Sequence, residues 1–269
     1  MKLPALVLIK SANDIGSAVA HRLKREGLRP ILVESANPGV IRRLMAFAPA
    51  VHEGLAQLEG LQAVRCETED AVNACWERPL EIPLWVADLD APPPFPVDVL
   101  VDARMRKRHT APNQLSLAPL VIGLGPGFEA GVHVHAVIET NWGPNLGRVI
   151  ARGQSEAYTG KHRTVRGFGA QRYIYAPEAG TFRTEQEILA PVSLGQVVGY
   201  INDLPLHAEI GGVLRGLAYS GLKVAKGAKV VEVDPTADPA NAQGMGERPV
   251  RIAQGVLEAI LGWTPHTKP

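Results

Sequence analysis

The segment ALVLIKSANDIGSAVAHRLKREGLRPILVES, residues 5–35, decides the fold predicted for the first part of the chain. Residues 5–10 form a continuous apolar run, which is typical of a strand buried on both faces of a parallel sheet. Apolar residues then recur at helical spacing, Gly27 follows the helix, and residues 29–35 form a second apolar run. This β-α-β order predicts two parallel strands joined by a right-handed crossover.

The alternation of strands and helices continues to about residue 130 and then changes. A helix is expected to begin again after Pro38, and helical spacing predicts another over residues 68–78. Beyond residue 131, short strands alternate with glycine turns until a helical pattern over residues 250–261. The other strands predicted in the first part are 84–89, 98–104 and 119–122.

Residues 175–234 resemble the two hammerhead halves that build the barrel-sandwich hybrid of biotinyl and lipoyl domains. The apex between the halves, NDLPLHAEIGG, lacks the lysine that those domains modify, so the resemblance concerns the scaffold and not carrier chemistry. The predicted fold class is α/β plus β. We expect a Rossmann-like parallel sheet domain in residues 1–130, followed by a barrel-sandwich-hybrid-like β-domain with a C-terminal helix in residues 131–269.

The composition excludes several classes of protein. The 269 residues are 46% apolar and 20% charged, and the net charge of +1 predicts no general binding to nucleic acid. No apolar run approaches the roughly 20 residues that span a bilayer, so we expect a cytoplasmic protein that does not bind membranes. Cys66 and Cys75 form no CxxC motif and have no metal-finger spacing.

Two neighbouring segments predict a site for an anionic ligand. Residues 101–110 read VDARMRKRHT, and residues 119–130 read PLVIGLGPGFEA, where a strand leads into the loop GLGPG. Bare glycine backbone beside cations suits phosphate-like oxygens, and ligands bind at the carboxyl ends of strands in open α/β sheets. A salt-bridged surface and a tight turn are the alternatives. The residues predicted to bind the ligand here are Asp102, Arg104, Lys107, Gly123, Gly125 and Gly127.

The next segment, HVHAVIETN, carries the residues predicted to act chemically. On a strand, His133, His135 and Glu139 would share one face, so they could ligate a divalent metal. His135 could instead act as a general base near neutral pH, with Glu139 beside it, and Asn141 would contact the same ligand. Solvated histidines at a strand edge remain the alternative.

The first strand–helix turn, SANDIGSA, gives a weaker signal for a nucleotide. A dinucleotide fingerprint needs glycines at the tight turn, and only Gly16 is present. Glu34 ends the second predicted strand, where a ribose-binding acid would lie, and Arg42 could bind phosphate with its guanidinium. An ordinary strand-to-helix turn and a solvated arginine are the competing interpretations.

Several stretches together resemble the YqeB-type accessory proteins of selenium-dependent molybdenum hydroxylase systems. The N-terminal half is also similar to the Rossmann portion of XdhC-type chaperones. The resemblance rests on VDP at 233–235 and on the segments IRRLMAFAPAVHEG, VDARMRKR, PLVIGLGPGFEAGVHVHAVIETNWGPNLGRVI, HAEIGGVLRGL and VRIAQGVLEAIL.

The resemblance implies a role in maturing or inserting the molybdenum cofactor, with a molybdenum hydroxylase as client. The ligand held between the domains would be an anionic pterin, that is the molybdenum cofactor, or a nucleotide. Two alternatives stay open: an NAD(P)-dependent oxidoreductase and a non-catalytic protein–protein adaptor. The sequence also leaves open whether any reaction is catalysed, whether selenium is handled, and whether the chain forms a homo-oligomer.

Overall fold

The computed structural model describes residues 5–106 and 111–263. The chain divides into two units. The second unit consists of two separate pieces, Asn37–Met45 and Gly160–Gly244, and the first unit contains the remainder. The chain thus leaves the first unit twice, whereas the predicted ranges 1–130 and 131–269 divide it once.

The first unit contains a large sheet with helices on it. Its helices are α1 (Asp14–Arg25), α2 (Ala50–Glu53), α3 (Glu69–Trp76) and, at the end of the chain, α4 (Glu247–Leu261). Its strands are β1 (Leu6–Lys10), β2 (Arg29–Glu34), β3 (Leu55–Leu58), β4 (Leu61–Cys66), β5 (Glu81–Val86), β6 (Val99–Asp102), β7 (Leu120–Leu124), β8 (Glu129–Ala130), β9 (Ala136–Ile138), β10 (Val149–Ile150) and β11 (Gly153–Gln154). Among the described residues, nine of these strands form one sheet in the order β10-β9-β7-β6-β1-β2-β5-β4-β3.

The sheet is parallel in its centre and antiparallel at both edges. Strands β4, β5, β2, β1, β6, β7 and β9 pair in parallel, while β3 and β10 pair antiparallel with β4 and β9. The β3–β4 hairpin turns through Glu59 and Gly60, whose φ angles of 43° and 78° match the left-handed geometry of a tight two-residue turn. Apolar side chains from the central strands, such as Leu8 and Leu100, are fully buried.

The C-terminal helix α4 packs closely against the N-terminal part of the first unit. α4 packs against α1. On α4, Gly255 lies so close to the carbonyl oxygen of Gly147 that a Cβ there would be 2.0 Å from that oxygen. Asn13 precedes α1 as its N-cap, and its side chain accepts hydrogen bonds from the amides of Ile15 and Gly16.

The second unit consists of antiparallel strands: β12 (Tyr173–Tyr175), β13 (Gly180–Arg183), β14 (Pro191–Val192), β15 (Val197–Ile201), β16 (Leu204–His207), β17 (Gly212–Leu217), β18 (Lys223–Val224) and β19 (Lys229–Asp234). Among the described residues they form two four-stranded sheets, ordered β12-β19-β17-β14 and β16-β15-β13-β18. Their core includes Phe182 and Leu214, both fully buried, and also Ile41 from the short N-terminal piece. Ile41 is tied to β17, because the Leu217 amide donates to its carbonyl at 2.8 Å.

The predicted fold class is wrong. A Rossmann-like parallel domain followed by a barrel-sandwich-hybrid-like domain would place everything after residue 131 outside the first sheet. Instead β9 and β10 extend that sheet, its edges are antiparallel, and α4 packs on α1 in the first unit. The remaining described strands form three further antiparallel sheets, one of two strands (β8 and β11) and two of four strands.

Individual elements were predicted more accurately than the architecture. The helices at 68–78 and 250–261 are confirmed as α3 and α4, and the strands at 98–104 and 119–122 as β6 and β7. No long helix begins after Pro38; the chain there forms a short 3-10 turn, Arg43–Met45, in the second unit. In residues 5–106 and 111–263, no helix is long and apolar enough to cross a membrane.

Candidate functional site

The candidate site lies at the carboxyl ends of β1, β6 and β7, near the centre of the first unit's sheet. From β1 the chain builds the sheet in one direction through β2, and β6 then starts the other direction. In this register Lys10 is opposite Asp102, and Asp102 is opposite Gly123. Such a reversal of strand order opens a crevice at the carboxyl ends, where ligands bind in open α/β sheets.

Five charged side chains meet at this edge. We call them the edge cluster: Lys10, Asp90, Asp102, Arg104 and Arg106. Asp102 is 1% exposed and accepts hydrogen bonds from Arg104 Nε and from Gln114 Nε2, both at 2.9 Å. Burial alone would raise the pKa of Asp102, but the hydrogen bonds and charge of Arg104 and the Gln114 amide hold it below its usual value. Asp102 is therefore an anion at neutral pH.

Arg104 is held by acceptors of the protein. Besides Asp102, its guanidinium donates from Nη1 to the Leu89 carbonyl at 2.9 Å and to the Asp90 carboxylate, and its side chain is only 5% exposed. Burial opposes the charge of Arg104, but the two carboxylates raise its pKa. The prediction placed Arg104 on the ligand, whereas its main contacts position Asp102 and Asp90.

Arg106 is the more exposed cation of the edge cluster. It pairs with Asp90 at 2.8 Å, and its side chain is 44% exposed. Hydrogen bonds from Arg106 and then Arg104 lower the pKa of Asp90 to about 2 although burial opposes this shift. Arg106 can thus reach a ligand from solvent, with Asp90 as a charged competitor.

Lys10 was not predicted as a site residue. It is 3% exposed, and its Nζ donates to the Ala91 carbonyl at 2.9 Å. Burial, and then the nearby Arg104 charge, lowers the pKa of Lys10. The sequence did contain a signal for this residue. A lysine ends an otherwise apolar, buried strand, and a lysine is almost never fully buried without a partner.

A small recess opens beside the edge cluster, with a cavity volume of about 30 Å³. That volume accommodates about one water-sized group. The recess is lined by Asp102, Arg104, Arg106, Ala111, Pro112, Pro126 and Phe128. Lys107, predicted to bind the anion, lies outside the described residues.

The glycines of GLGPG serve the turn and its packing. At Gly123 a Cβ would be 2.4 Å from the ring of Phe128, so the missing side chain lets that ring pack against β7. Gly125 has φ of 81°, and its amide donates to the Ile138 carbonyl at 2.9 Å. Gly127 has φ of 98°, and its carbonyl accepts from Ala111. The Gly125 amide, which was predicted to cradle an anion, is already bonded inside the sheet.

The structure does not group His133, His135 and Glu139, the residues predicted to ligate a metal. Nδ1 of His133 accepts from the Glu129 amide at 3.0 Å, and Nδ1 of His135 accepts from the Val121 amide at 2.9 Å. Because β9 begins only at Ala136, the two histidines and Glu139 do not share one regular strand. Across the described ranges, no three His, Cys, Asp or Glu side chains are grouped to hold a metal ion.

Glu139 and Asn141 organise a local turn. One carboxylate oxygen of Glu139 accepts from the amides of Thr140 and Asn141, and the other accepts from the amide of Glu156, all at 2.7 Å. The Asn141 side chain donates to Glu156 at 2.6 Å.

His135 is held neutral by its surroundings. Its ring lies 5.2 Å from the Trp263 ring, measured between centroids. Burial lowers the pKa of His135, so the imidazole is neutral at pH 7. His135 and Glu139, the two residues predicted to be catalytic, therefore do not hydrogen-bond each other.

In the first strand–helix turn, nearby side chains already accept hydrogen bonds from the backbone amides. Glu34 is 3% exposed and accepts from the Ala12 amide at 2.8 Å, from Ser11 Oγ at 3.0 Å, and from the Ser35 amide and hydroxyl. At Gly16 a Cβ would be 2.0 Å from the Ser11 carbonyl oxygen. Gly16 and Glu34, predicted to bind a nucleotide, therefore shape and cap the turn.

Arg42, the remaining predicted ligand residue, belongs to the second unit. There its Nε donates to Glu232 at 2.7 Å across 190 residues of sequence. Sequence spacing could not reveal that pairing.

Comparison of the sequence with curated proteins identifies a similar protein, but one with no described activity. The chain is 36% identical over 259 residues to the uncharacterized protein YqeB of Escherichia coli (strain K12), a match that covers 95% of this chain and 47% of that protein. The chain thus spans about half the length of the curated relative it matches. No family model matches the chain.

Three solved structures show weak likeness to this chain. An aspartoacylase family protein from Mesorhizobium loti is 14% identical with a TM-score of 0.28, over 86% of this chain and 85% of that one. The product-bound ectoine utilization protein EutE (DoeB) from Ruegeria pomeroyi is 12% identical with a TM-score of 0.26, over 86% and 85%. A succinylglutamate desuccinylase/aspartoacylase from Rhodobacter sphaeroides is 28% identical but covers 32% of this chain and 29% of that one, with a TM-score of 0.23. These scores are too low to carry an argument about function.

Proposed function

We propose that the chain is a YqeB-type accessory protein that binds an anionic ligand, the molybdenum cofactor or a nucleotide, during maturation or insertion of that cofactor into a molybdenum hydroxylase. The sequence resemblance supports the maturation role. One structural observation carries the binding role: the exposed guanidinium of Arg106 lies beside a recess at the point where the strand order reverses.

The charge of the edge cluster favours an anion. Three cations face two carboxylates, so the cluster has an excess of one positive charge. Because Arg104 and Lys10 are buried and bonded to the protein, they supply a fixed positive field, while Arg106 makes the contact. Guanidinium groups bind phosphate oxygens with two parallel hydrogen bonds.

The size of the recess limits what enters it. A volume of about 30 Å³ admits one terminal oxygen-bearing group and not a fused ring system. The ligand's phosphate would therefore contact Arg106 in competition with Asp90, and the pterin or base would remain outside the recess.

A titration of the full chain with molybdopterin, kept anaerobic and followed by calorimetry, tests the binding role. We expect saturable binding, and Arg106→Gln should weaken it about tenfold, the effect of losing one charge-assisted contact. The matched control is Arg78→Gln, an exposed arginine of the same unit that pairs with Glu81 at 2.9 Å. Absence of binding by the unaltered chain, or equal binding by Arg106→Gln, would contradict the proposal.

A second measurement separates the competing roles. In cells lacking this protein, a molybdenum hydroxylase should contain less molybdenum, and the unaltered chain should restore its metal content where Arg106→Gln does not. Full restoration by Arg106→Gln would indicate an adaptor that needs no ligand. Saturable binding of NADPH abolished by Glu34→Gln would indicate an oxidoreductase, although the amides of the first turn are already bonded internally.

A further inference from the structure

The second unit contains a separate group of arginines around one buried carboxylate. We call it the arginine cluster: Arg42, Arg172, Arg215, Glu232 and Asp234. Glu232 lies on β19 and is fully buried. Its carboxylate accepts from Arg42 Nε at 2.7 Å and Nη2 at 3.1 Å, and from Arg172 Nη2 at 3.0 Å. The single negative charge of Glu232 thus balances the charge of one of the three guanidiniums.

Arg215 is the least satisfied member of the arginine cluster. Its Nη1 lies 3.5 Å from Glu232, the longest of the three arginine contacts to that carboxylate. Its Nε is buried and has no hydrogen-bond partner among the described residues. A buried donor without an acceptor is rare in folded proteins, and it is the kind of atom that a bound acceptor would satisfy.

The second carboxylate does not balance the remaining charge. Asp234 Oδ1 accepts from the amide of Thr236 at 2.8 Å and also from its hydroxyl, and Oδ2 is 4.0 Å from Arg172. Three guanidiniums against two carboxylates leave an excess of one positive charge in a partly buried place. Burial and then the Arg42 charge lower the pKa of Arg215, which is the direction an added anion would reverse.

The local chain geometry brings these arginines together. Arg215 occupies a β-bulge, because the register between β17 and β19 shifts between Leu214 and Gly216. Bulges redirect side chains and are common beside binding sites. At Gly216 a Cβ would be 3.0 Å from the side chain of Ile41, so the glycine allows the short N-terminal piece to lie against β17. Because of that close approach, Arg42 lies within hydrogen-bond distance of Glu232.

A basic loop lies next to the arginine cluster. The His162 ring lies 4.6 Å from the ring of Tyr173, measured between centroids, and Tyr173 is opposite Glu232 in the sheet. The same loop carries the side chains Lys161, Arg163 and Arg166. The loop thus adds basic residues to the sequence that lies next to the arginine cluster.

We propose that the arginine cluster is a second oxyanion site, which binds the phosphate or pyrophosphate group of a small molecule through Arg215 with Arg42 beside it. The side chains of Arg42 and Arg215 are 24% and 18% exposed, while Arg172 is 3% exposed, so solvent reaches the cluster only partially. A partly buried set of planar guanidiniums suits a compact phosphate group better than a flat membrane surface. This site is independent of the edge cluster.

Calorimetric titration of the full chain with inorganic phosphate and pyrophosphate tests this site. We expect saturable binding, tighter for pyrophosphate, and at least a tenfold loss in Arg215→Gln. Arg215→Lys, which keeps the charge but not the planar fork, should lie between the two. The matched control is Arg183→Gln, an exposed arginine of the same unit paired with Asp203 at 3.3 Å, and it should bind as the unaltered chain does.

Two additional measurements locate the bound anion at Arg215. The Nε–H nuclear magnetic resonance of Arg215 should shift on adding pyrophosphate, and the same shift should appear in Arg106→Gln, because the arginine cluster does not include Arg106. If Arg215→Gln proves unstable, Arg215→Lys, which keeps the charge, still tests the site and should bind pyrophosphate more weakly than the unaltered chain. No binding to the unaltered chain, equal affinity in Arg215→Gln and the unaltered chain, or a preference for vesicles of anionic lipid over pyrophosphate would overturn the proposal.

Discussion

The edge cluster and the arginine cluster contain the same types of charge but balance them differently. In the edge cluster, Arg104 and Arg106 share Asp90, whose side chain is 60% exposed, so water screens part of the charge. In the arginine cluster, three guanidiniums converge on Glu232, which water does not reach. Similar ion pairs therefore contribute differently to the free energy of unfolding: removing a shared carboxylate costs more when that carboxylate is completely buried.

Removing the buried carboxylate should have the largest effect. Glu232→Gln leaves three guanidiniums without their common anion, and we expect a loss of about 3–5 kcal/mol in the free energy of unfolding of the second unit. All four tryptophans of the chain, Trp76, Trp85, Trp142 and Trp263, lie in the first unit. Urea unfolding followed by tryptophan fluorescence and by tyrosine circular dichroism therefore distinguishes the two units.

The control for this change is Asp203→Asn, since Asp203 pairs with Arg183 on the exposed surface of the same unit. It should unfold as the unaltered chain does. If Glu232→Gln leaves stability unchanged, burial of the shared carboxylate does not give the arginine cluster the larger energetic weight.

Acid should weaken the second unit through the same group. Burial raises the pKa of Glu232, but the charge and hydrogen bonds of Arg42, with Arg215 and Arg172, lower it to about 2 against an ordinary value of 4.5. Because the folded-state pKa is depressed, the stabilisation is complete above about pH 4.5 and is lost as the pH falls toward 2. We expect the loss to be on the order of 3 kcal/mol.

Urea unfolding at intervals from pH 6 to pH 3 measures this dependence. Other carboxylates also titrate in this range, so the relevant quantity is the difference between the unaltered chain and Glu232→Gln. That difference should shrink as the pH falls below 4.5. A difference that stays constant with pH would exclude Glu232 as the titrating group.

The edge cluster should respond less to loss of its buried acid. Asp102→Asn removes the charge opposite Arg104, but the guanidinium keeps the Asp90 carboxylate and the Leu89 carbonyl as acceptors. We expect a loss of about 2 kcal/mol, the range for a hydrogen bond to a charged group. Thermal unfolding followed by tryptophan fluorescence measures it, with Asp98→Asn, immediately before the same strand, as the control. A loss as large as that of Glu232→Gln would remove the distinction between the clusters.

The difference between the clusters also accounts for what the sequence could predict. Asp102 and Arg104 lie two residues apart at the end of an apolar run, so strand alternation and the carboxyl-end rule were sufficient to place them at the edge of the sheet. Arg42 and Glu232 are separated by 190 residues, and no periodicity connects them. Local chemistry was therefore predictable, and the partner of Arg42 was not.

Errors in the predicted fold have the same origin. In the stretch LAQLEGLQAV, two short apolar-rich runs flank the dipeptide Glu59-Gly60, a hairpin signal that would have indicated an antiparallel edge. The histidine pair was placed on a strand by its spacing, yet β9 begins one residue after His135. Strand pairing between distant segments, such as β7 with β9, depends on long-range packing that a single sequence does not reveal.

The smallest effect on stability, and the sharpest on binding, is expected at Asp90. Since its side chain is 60% exposed, Asp90→Asn should change the free energy of unfolding by less than about 1 kcal/mol. The same substitution removes the carboxylate that competes for Arg106, so affinity for an anionic ligand at the edge cluster should rise several-fold, most clearly at low salt. Calorimetry with molybdopterin at two salt concentrations measures this gain. Weaker binding in Asp90→Asn would mean that Asp90 positions Arg106 for the ligand and does not compete with it.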